Sequence, residues 1–291
     1  MKASIKAFLP LLMLLCMGCG KEPAVVGNSR NGQEVPSYNP AGNLVIFVDS
    51  LESIPFDEVE TPCTHLCYAV YDMEGKRIKQ SNQKLGDKHY GAVGMQLDDG
   101  AYQLVVLAHS GKKNPTMTNS AKIQFSNATG YSDTYLYRTC LDVAASQQII
   151  HVKPRRVTAL VRFVISDTVP DSIAQMHFRY TGGSGHLDAS TGRGVTHSTQ
   201  EVTVEVQAGA SGIRCDLYTF PFANGDTLHL TATALDSDGS ETLQREFNVP
   251  VAIDQISWLV GSFFRRNPDA WTVIPDRSFT SRWGNEVWIS Y

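Results

Sequence analysis

The chain has 291 residues, 42% of them hydrophobic and 19% charged, with a formal net charge of −4. That slightly acidic balance, with no basic stretch interleaved with aromatics, argues against nucleic acid as a partner. The length beyond a leader and a tether suits two domains of ordinary size.

The first element is a leader. "MKASIKAFLPLLMLLCMGCGKE" has a basic start (Lys2, Lys6) and an apolar run from Ala7 to Leu15, too short to span a bilayer. Residues 1–18 read as a signal peptide. Gly18 directly before Cys19 resembles a bacterial lipobox, with Cys16 standing where Leu is usual. Cys19 is therefore the expected lipidation site. Each buried methylene of its acyl chains adds ~0.8 kcal/mol of membrane attachment. Residues 19–42, rich in Gly, Pro, Asn and Ser without periodicity, read as a flexible tether.

The body reads as β almost throughout. Expected strands are "NLVIFVD" (43–49), "HLCYAVYD" (65–72), "AYQLVVLAH" (101–109) and "SQQIIHV" (146–152) in the first half. "TALVRFVIS" (158–166), "EVTVEV" (201–206), "DLYTFPF" (216–222) and "TLHLTATALD" (227–236) follow in the second. Turn dipeptides punctuate them, among them Asn224-Gly225 and Asp238-Gly239. Helical segments are few and short, the best being "PDSIAQM" with Pro170 at its start. The pattern implies an all-β fold of sandwiches. A break near Val152–Arg156 divides it into an N-terminal domain, 43–153, and a C-terminal domain, 154–291. The basic "KPRR" at that break (Lys153 to Arg156) reads as a solvated loop.

A family resemblance rests on several segments. "YAVYDMEGKRI", "LDDGAYQLVVLAHSG", "HVKPRRVTALVRFVISDTVPDSIAQMHFRYTGGSGHLDASTGRG" and "VPVAIDQISWLVGSFF" resemble fimbrial subunits of the FimB/Mfa anchor type, from the type V pili of Bacteroidales. The resemblance runs from about Asn43 onward and agrees with the lipoprotein leader. It implies two tandem transthyretin-like Greek-key β-sandwich domains with few short helices. It also implies a role in fimbria assembly, a stalk subunit as partner and no catalytic residues. Stalk subunits of such pili lose a first strand to an arginine-specific protease, and a neighbour's last strand fills the opened groove.

Two features bear on that mechanism. The last segment, "SFTSRWGNEVWISY" (278–291), alternates. Phe279, Trp283, Val287, Ile289 and Tyr291 are expected on one face of an extended strand, as a donor would need. The bland alternative is the last strand of the protein's own second sandwich. Second, no Lys or Arg occurs between Arg30 and Lys76. A trypsin-like protease has nothing to cut between the first expected strand and the second, so the chain keeps its first strand.

Other chemistry is weaker. Cys63, His65 and Cys67 in "PCTHLC" lack a second pair at metal spacing, and they fit one face of a strand entry equally well. No metal and no cofactor is expected. Cys63, Cys67, Cys140 and Cys215 remain after the leader, either as free thiols or with Cys63 or Cys67 bridged to Cys140. "TGGSGH" (181–186) lacks a phosphate-loop Lys and reads as a hairpin loop. "DSDGSE" (236–241) departs from a calcium loop and reads as a hairpin turn. No enzyme motif survives. The expected function is a lipid-anchored fimbrial subunit at the outer membrane, the anchor of the fimbria. The alternatives are a surface lipoprotein that binds glycan or host protein, or a tip or accessory subunit of the same pilus.

Overall fold

The computed structural model describes residues 38–49, 63–265 and 283–291. The signal peptide, Cys19 and Phe279 lie outside the described residues. The strands in chain order are β1 (Leu44–Val48), β2 (His65–Tyr71), β3 (Arg77–Lys84), β4 (Ala92–Met95), β5 (Gly100–His109), β6 (Ile123–Gln124), β7 (Thr134–Val143), β8 (Gln148–Val152) and β9 (Arg155–Arg156). They continue as β10 (Ala159–Ile165), β11 (Gln175–Thr181), β12 (His186–Asp188), β13 (Arg193–Gly194), β14 (Gln200–Glu205), β15 (Ile213–Thr219), β16 (Asp226–Leu235), β17 (Glu241–Val251), β18 (Gln255–Gly261) and β19 (Asn285–Ser290). No helix occurs among the described residues. The "PDSIAQM" segment forms a turn that runs directly into β11.

The fold is all-β. A three-stranded sheet, β4-β1-β8, packs on a five-stranded sheet, β3-β2-β5-β7-β9. Leu44 and Ile46 from the first meet Leu66, Tyr68, Leu104 and Val106 from the second in one core. A second sandwich packs β15-β10-β18-β19 against β14-β11-β16-β17, with Phe163, Phe178, Leu217, Leu230 and Phe263 inside. Strands β10 and β18 are parallel neighbours and apolar on both sides, because their outer face is also covered. This explains why "ALVRFVI" reads as a near-continuous run rather than an alternation.

A third sheet, β13-β12-β6, crosses between the halves. His186 and Leu187 of β12 pair with Gln124 and Ile123 of β6, and Phe125 N–H donates to Gly185 O at 2.8 Å. Behind this ladder Ile123, Phe125, Leu187, Ala189 and Phe220 cover the outer face of the five-stranded sheet against Cys67, Tyr71 and Leu107. The "TGGSGH" segment is consequently a crossover from β11 into this junction, not a hairpin between paired strands. A Cβ on Gly182, whose φ is +93°, would sit 2.2 Å from Thr227 O, and one on Gly183 would sit 2.0 Å from Thr219 Oγ1. Close backbone approach, not ligand binding, accounts for those glycines. "DSDGSE" is the β16–β17 turn, in which the Asp236 carboxylate accepts from the N–H groups of Asp238 and Ser240.

Candidate assembly site

Strand β1 is the central strand of its sheet. It runs antiparallel to β4 and parallel to β8, and four of its five residues are fully enclosed. Asn43 fixes its start: Nδ2 donates to Leu97 O and Ala144 O, both at 2.9 Å, and Oδ1 accepts Leu97 N–H. Removing β1 would therefore open a groove between β4 and β8. The first basic residue after β1 is Lys76, beyond the end of β2.

Strand β19 lies beside β18, parallel to it and in the same chain, and it is the outermost described strand of its sheet. Asn285 N–H donates to Asp254 O and Tyr291 N–H to Val260 O. Ile289 and Tyr291 pack into the second core. The Tyr291 ring stacks on Phe163 at 5.0 Å, and its hydroxyl donates to Val164 O. Val287 shares their parity, but Trp283 does not share their surroundings. Trp283 and Trp288 join the cluster on the opposite face, where Trp288 lies parallel over Trp258 at 4.6 Å. The expected single apolar face thus divides. The turn before Asn285 breaks the register that would align Trp283 with Ile289, and Trp288, unnoticed in the sequence, fills the other side. Val287, Trp288, Ile289 and Tyr291 are all only half-buried, unlike β18 beneath them.

Arg156 ties this tail to both halves of the molecule. Its Nε donates to Asp133 at 2.9 Å, its Nη1 to Asp254 at 2.8 Å, and its guanidinium lies 3.9 Å from the Trp283 ring centre. Burial works against its charge, but the Asp133 carboxylate more than offsets that and holds the pKa above the usual range. The "KPRR" stretch is therefore not a solvated loop. Arg155 and Arg156 form β9, paired with β7.

The model of the fimbrillin-A associated anchor proteins Mfa1 and Mfa2 matches residues 57–252. The chain belongs to this family. No curated protein matches it. Among solved structures it is similar to an adhesin candidate from Bacteroides ovatus (14% identity, 72% of this chain and 83% of that one, TM-score 0.49). It is also similar to the fimbrial anchor protein Mfa2 from Porphyromonas gingivalis (14% identity, 69% and 80%, TM-score 0.40). A fimbrilin from Porphyromonas gingivalis W83 is similar at 12% identity, 75% and 84% coverage and a TM-score of 0.36. The anchor-family match stops short of β18, β19 and the leader.

The remaining chemical groups of this anchor-family chain are structural. Cys63, Cys67, Cys140 and Cys215 are free thiols, and all but Cys140 are buried. Cys63 and Cys67 do not share a face, since Cys63 enters the first core and Cys67 the junction behind the sheet. Among the described residues no three His, Cys, Asp or Glu side chains converge as a metal site. His109, fully buried, accepts Gly111 N–H on Nδ1, so its neutral ring carries the proton on Nε2, 3.7 Å from Cys67 Sγ.

Burial, reinforced by His65 stacked 5.0 Å away, lowers the His109 pKa from 6.5 to about 4. The unfolded chain then binds the extra proton first, so stability rises with pH. The contribution is complete above about pH 6.5 and is lost as pH falls through about 4, amounting to ~3 kcal/mol. Thermal melts between neutral pH and about pH 4 should show this decline. His109→Gln, whose amide does not titrate, should flatten that part of the profile.

Proposed function

We propose that this protein is the anchor of a fimbria. It is held at the outer membrane by a lipid on Cys19, and its last strand, with Trp283, Val287, Ile289 and Tyr291 in the described part and Phe279 before it, is given to a stalk subunit. One observation carries the reading. The first strand is walled in at the centre of its sheet, while the last strand sits half-buried at an edge. A subunit of that kind keeps its own groove closed and has a strand to surrender. The absence of Lys and Arg between Arg30 and Lys76 supports retention of β1. Strand addition would supply backbone hydrogen bonds along the new edge and pockets for alternate side chains. No catalysis enters this role.

The second reading, a surface lipoprotein that binds glycan or host protein, is favoured by the pairing of β19 within its own sheet. Two variants separate them in native cells. Deleting residues 278–291 from a chain shown to remain folded, lipidated and abundant should shed fimbriae into the medium. Gly261→Ala keeps the strand but displaces it, because its Cβ would lie 2.1 Å from Tyr291 O and 2.8 Å from the Tyr291 ring. It should capture stalk subunit faster than the natural chain. Fimbriae that stay attached after the deletion would overturn strand donation.

A further inference from the structure

We infer that the junction between the two sandwiches is a binding site for an acidic polysaccharide. A cleft of about 710 Å³ opens there, between β7, the Lys153–Val157 linker and the Ala189–Gly192 turn. Four cations line it: Arg138, Lys153, Arg155 and Arg156, against the single carboxylate of Asp254. Arg156 and Asp254 are engaged with each other at 2.8 Å, which leaves three cations to set the charge of the cleft. Arg138 donates to the neutral amide of Gln103, so its charge is retained, and Lys153 is exposed without a carboxylate partner among the described residues. This concentration of positive charge occurs in a chain whose net charge is −4.

The cations stand on rigid backbone. Arg138 lies in β7, and Arg155 in β9 is paired to β7 opposite Leu136. On the facing wall Asp188 accepts the hydroxyl protons of Ser190 at 2.8 Å and Thr191 at 3.1 Å. Those oxygens keep lone pairs that can accept from sugar hydroxyls. Gly192, at φ +69°, lets the turn close on Val157, since a Cβ there would sit 3.2 Å from Val157 Cγ1.

The lining selects the ligand class. Apolar small molecules need predominantly apolar walls, which this cleft lacks. Single-stranded nucleic acid needs a longer basic track with stacking rings, and Tyr137 is the sole aromatic in the lining. A flexible chain of hydroxyl-bearing units with carboxylate or sulfate groups matches both the guanidinium forks and the hydroxyl wall.

Binding of heparin (sulfate) and polygalacturonate (carboxylate) to the purified full-length chain tests this, with polyglutamate as a polyanion lacking sugar. One or both saccharides should bind in a salt-sensitive manner, and the stronger identifies the anionic group. Arg138→Gln with Lys153→Gln should weaken binding roughly tenfold or more, while Lys112→Gln with Lys113→Gln, on an exposed loop, should not. In the natural chain, bound saccharide should also protect Lys153 from amine acetylation, a readout independent of any variant. Absent binding, equal losses in both double variants, equal affinity for polyglutamate, or an unprotected Lys153 would overturn the assignment.

Discussion

Arg156→Met should lower the unfolding free energy by about 3–5 kcal/mol, the usual cost of removing one partner from a buried ion pair. The Arg156 side chain is 7% exposed and that of Asp133 18%, so water cannot take over the lost bonds. Three different parts of the chain lose a contact at once: Asp133 at the head of β7, Asp254 in the β17–β18 turn and Trp283 before β19. Asp133 would retain only the hydroxyls of Tyr135 and Thr158, which cannot neutralise a carboxylate. For a chain of this size each kcal/mol shifts the melting temperature by about 2–4 °C, so a drop of roughly 10 °C is expected. Arg156→Lys should recover little, because one ammonium cannot serve two carboxylates and an indole face in a fixed fork. A calorimetric melt of the three proteins checks this. A shift of only a degree or two for Arg156→Met would show that the cluster is incidental.

Phe163→Ala should cost a further-reaching ~3–5 kcal/mol, as large aromatic truncations in closed cores do. Phe163 is fully buried and its ring meets Phe178 at 5.2 Å, Phe247 at 5.4 Å, Phe263 at 5.9 Å and Tyr291 at 5.0 Å. Four elements therefore share the cavity that alanine leaves. The informative measurement is the double-mutant cycle with Tyr291→Ala by denaturant unfolding. A coupling of ~0.5–1.5 kcal/mol would be expected for stacked rings. Coupling of that size means β19 contributes to its own core and must be withdrawn before it can serve a neighbour. Near-zero coupling means that the tail docks without reinforcing the core, and surrendering it would cost the protein little.

Much of the β architecture was legible from residues alone. Strands such as "LVIFV", "QLVVLAH" and "ALVRFVI" are rich in β-branched and apolar residues, because in the fold they are enclosed on one or both faces. The family was legible too, since its segments lie within the span that the family model matches. Strands β3 and β17 were not, because an edge strand such as "RIKQSNQK" pairs on one side only and carries mostly polar groups. The two- and three-residue strands β6 and β12 are too short to show any period. Their ladder exists because the two sandwiches press together, and that contact decided what "TGGSGH" does.

The candidate site divides in the same way. Sequence by itself determined that the last segment is amphipathic and that no basic residue separates the first strand from the second. Both are properties of neighbouring residues, so local pattern suffices. Only the tertiary structure decided that Trp283 and Trp288 share one face while Ile289 and Tyr291 fill the core. Only the tertiary structure likewise made Arg156 a clamp, since Asp254 lies 98 residues away from it. Burial and charge pairing between distant segments arise when the chain closes on itself, and no local period in a linear sequence encodes them.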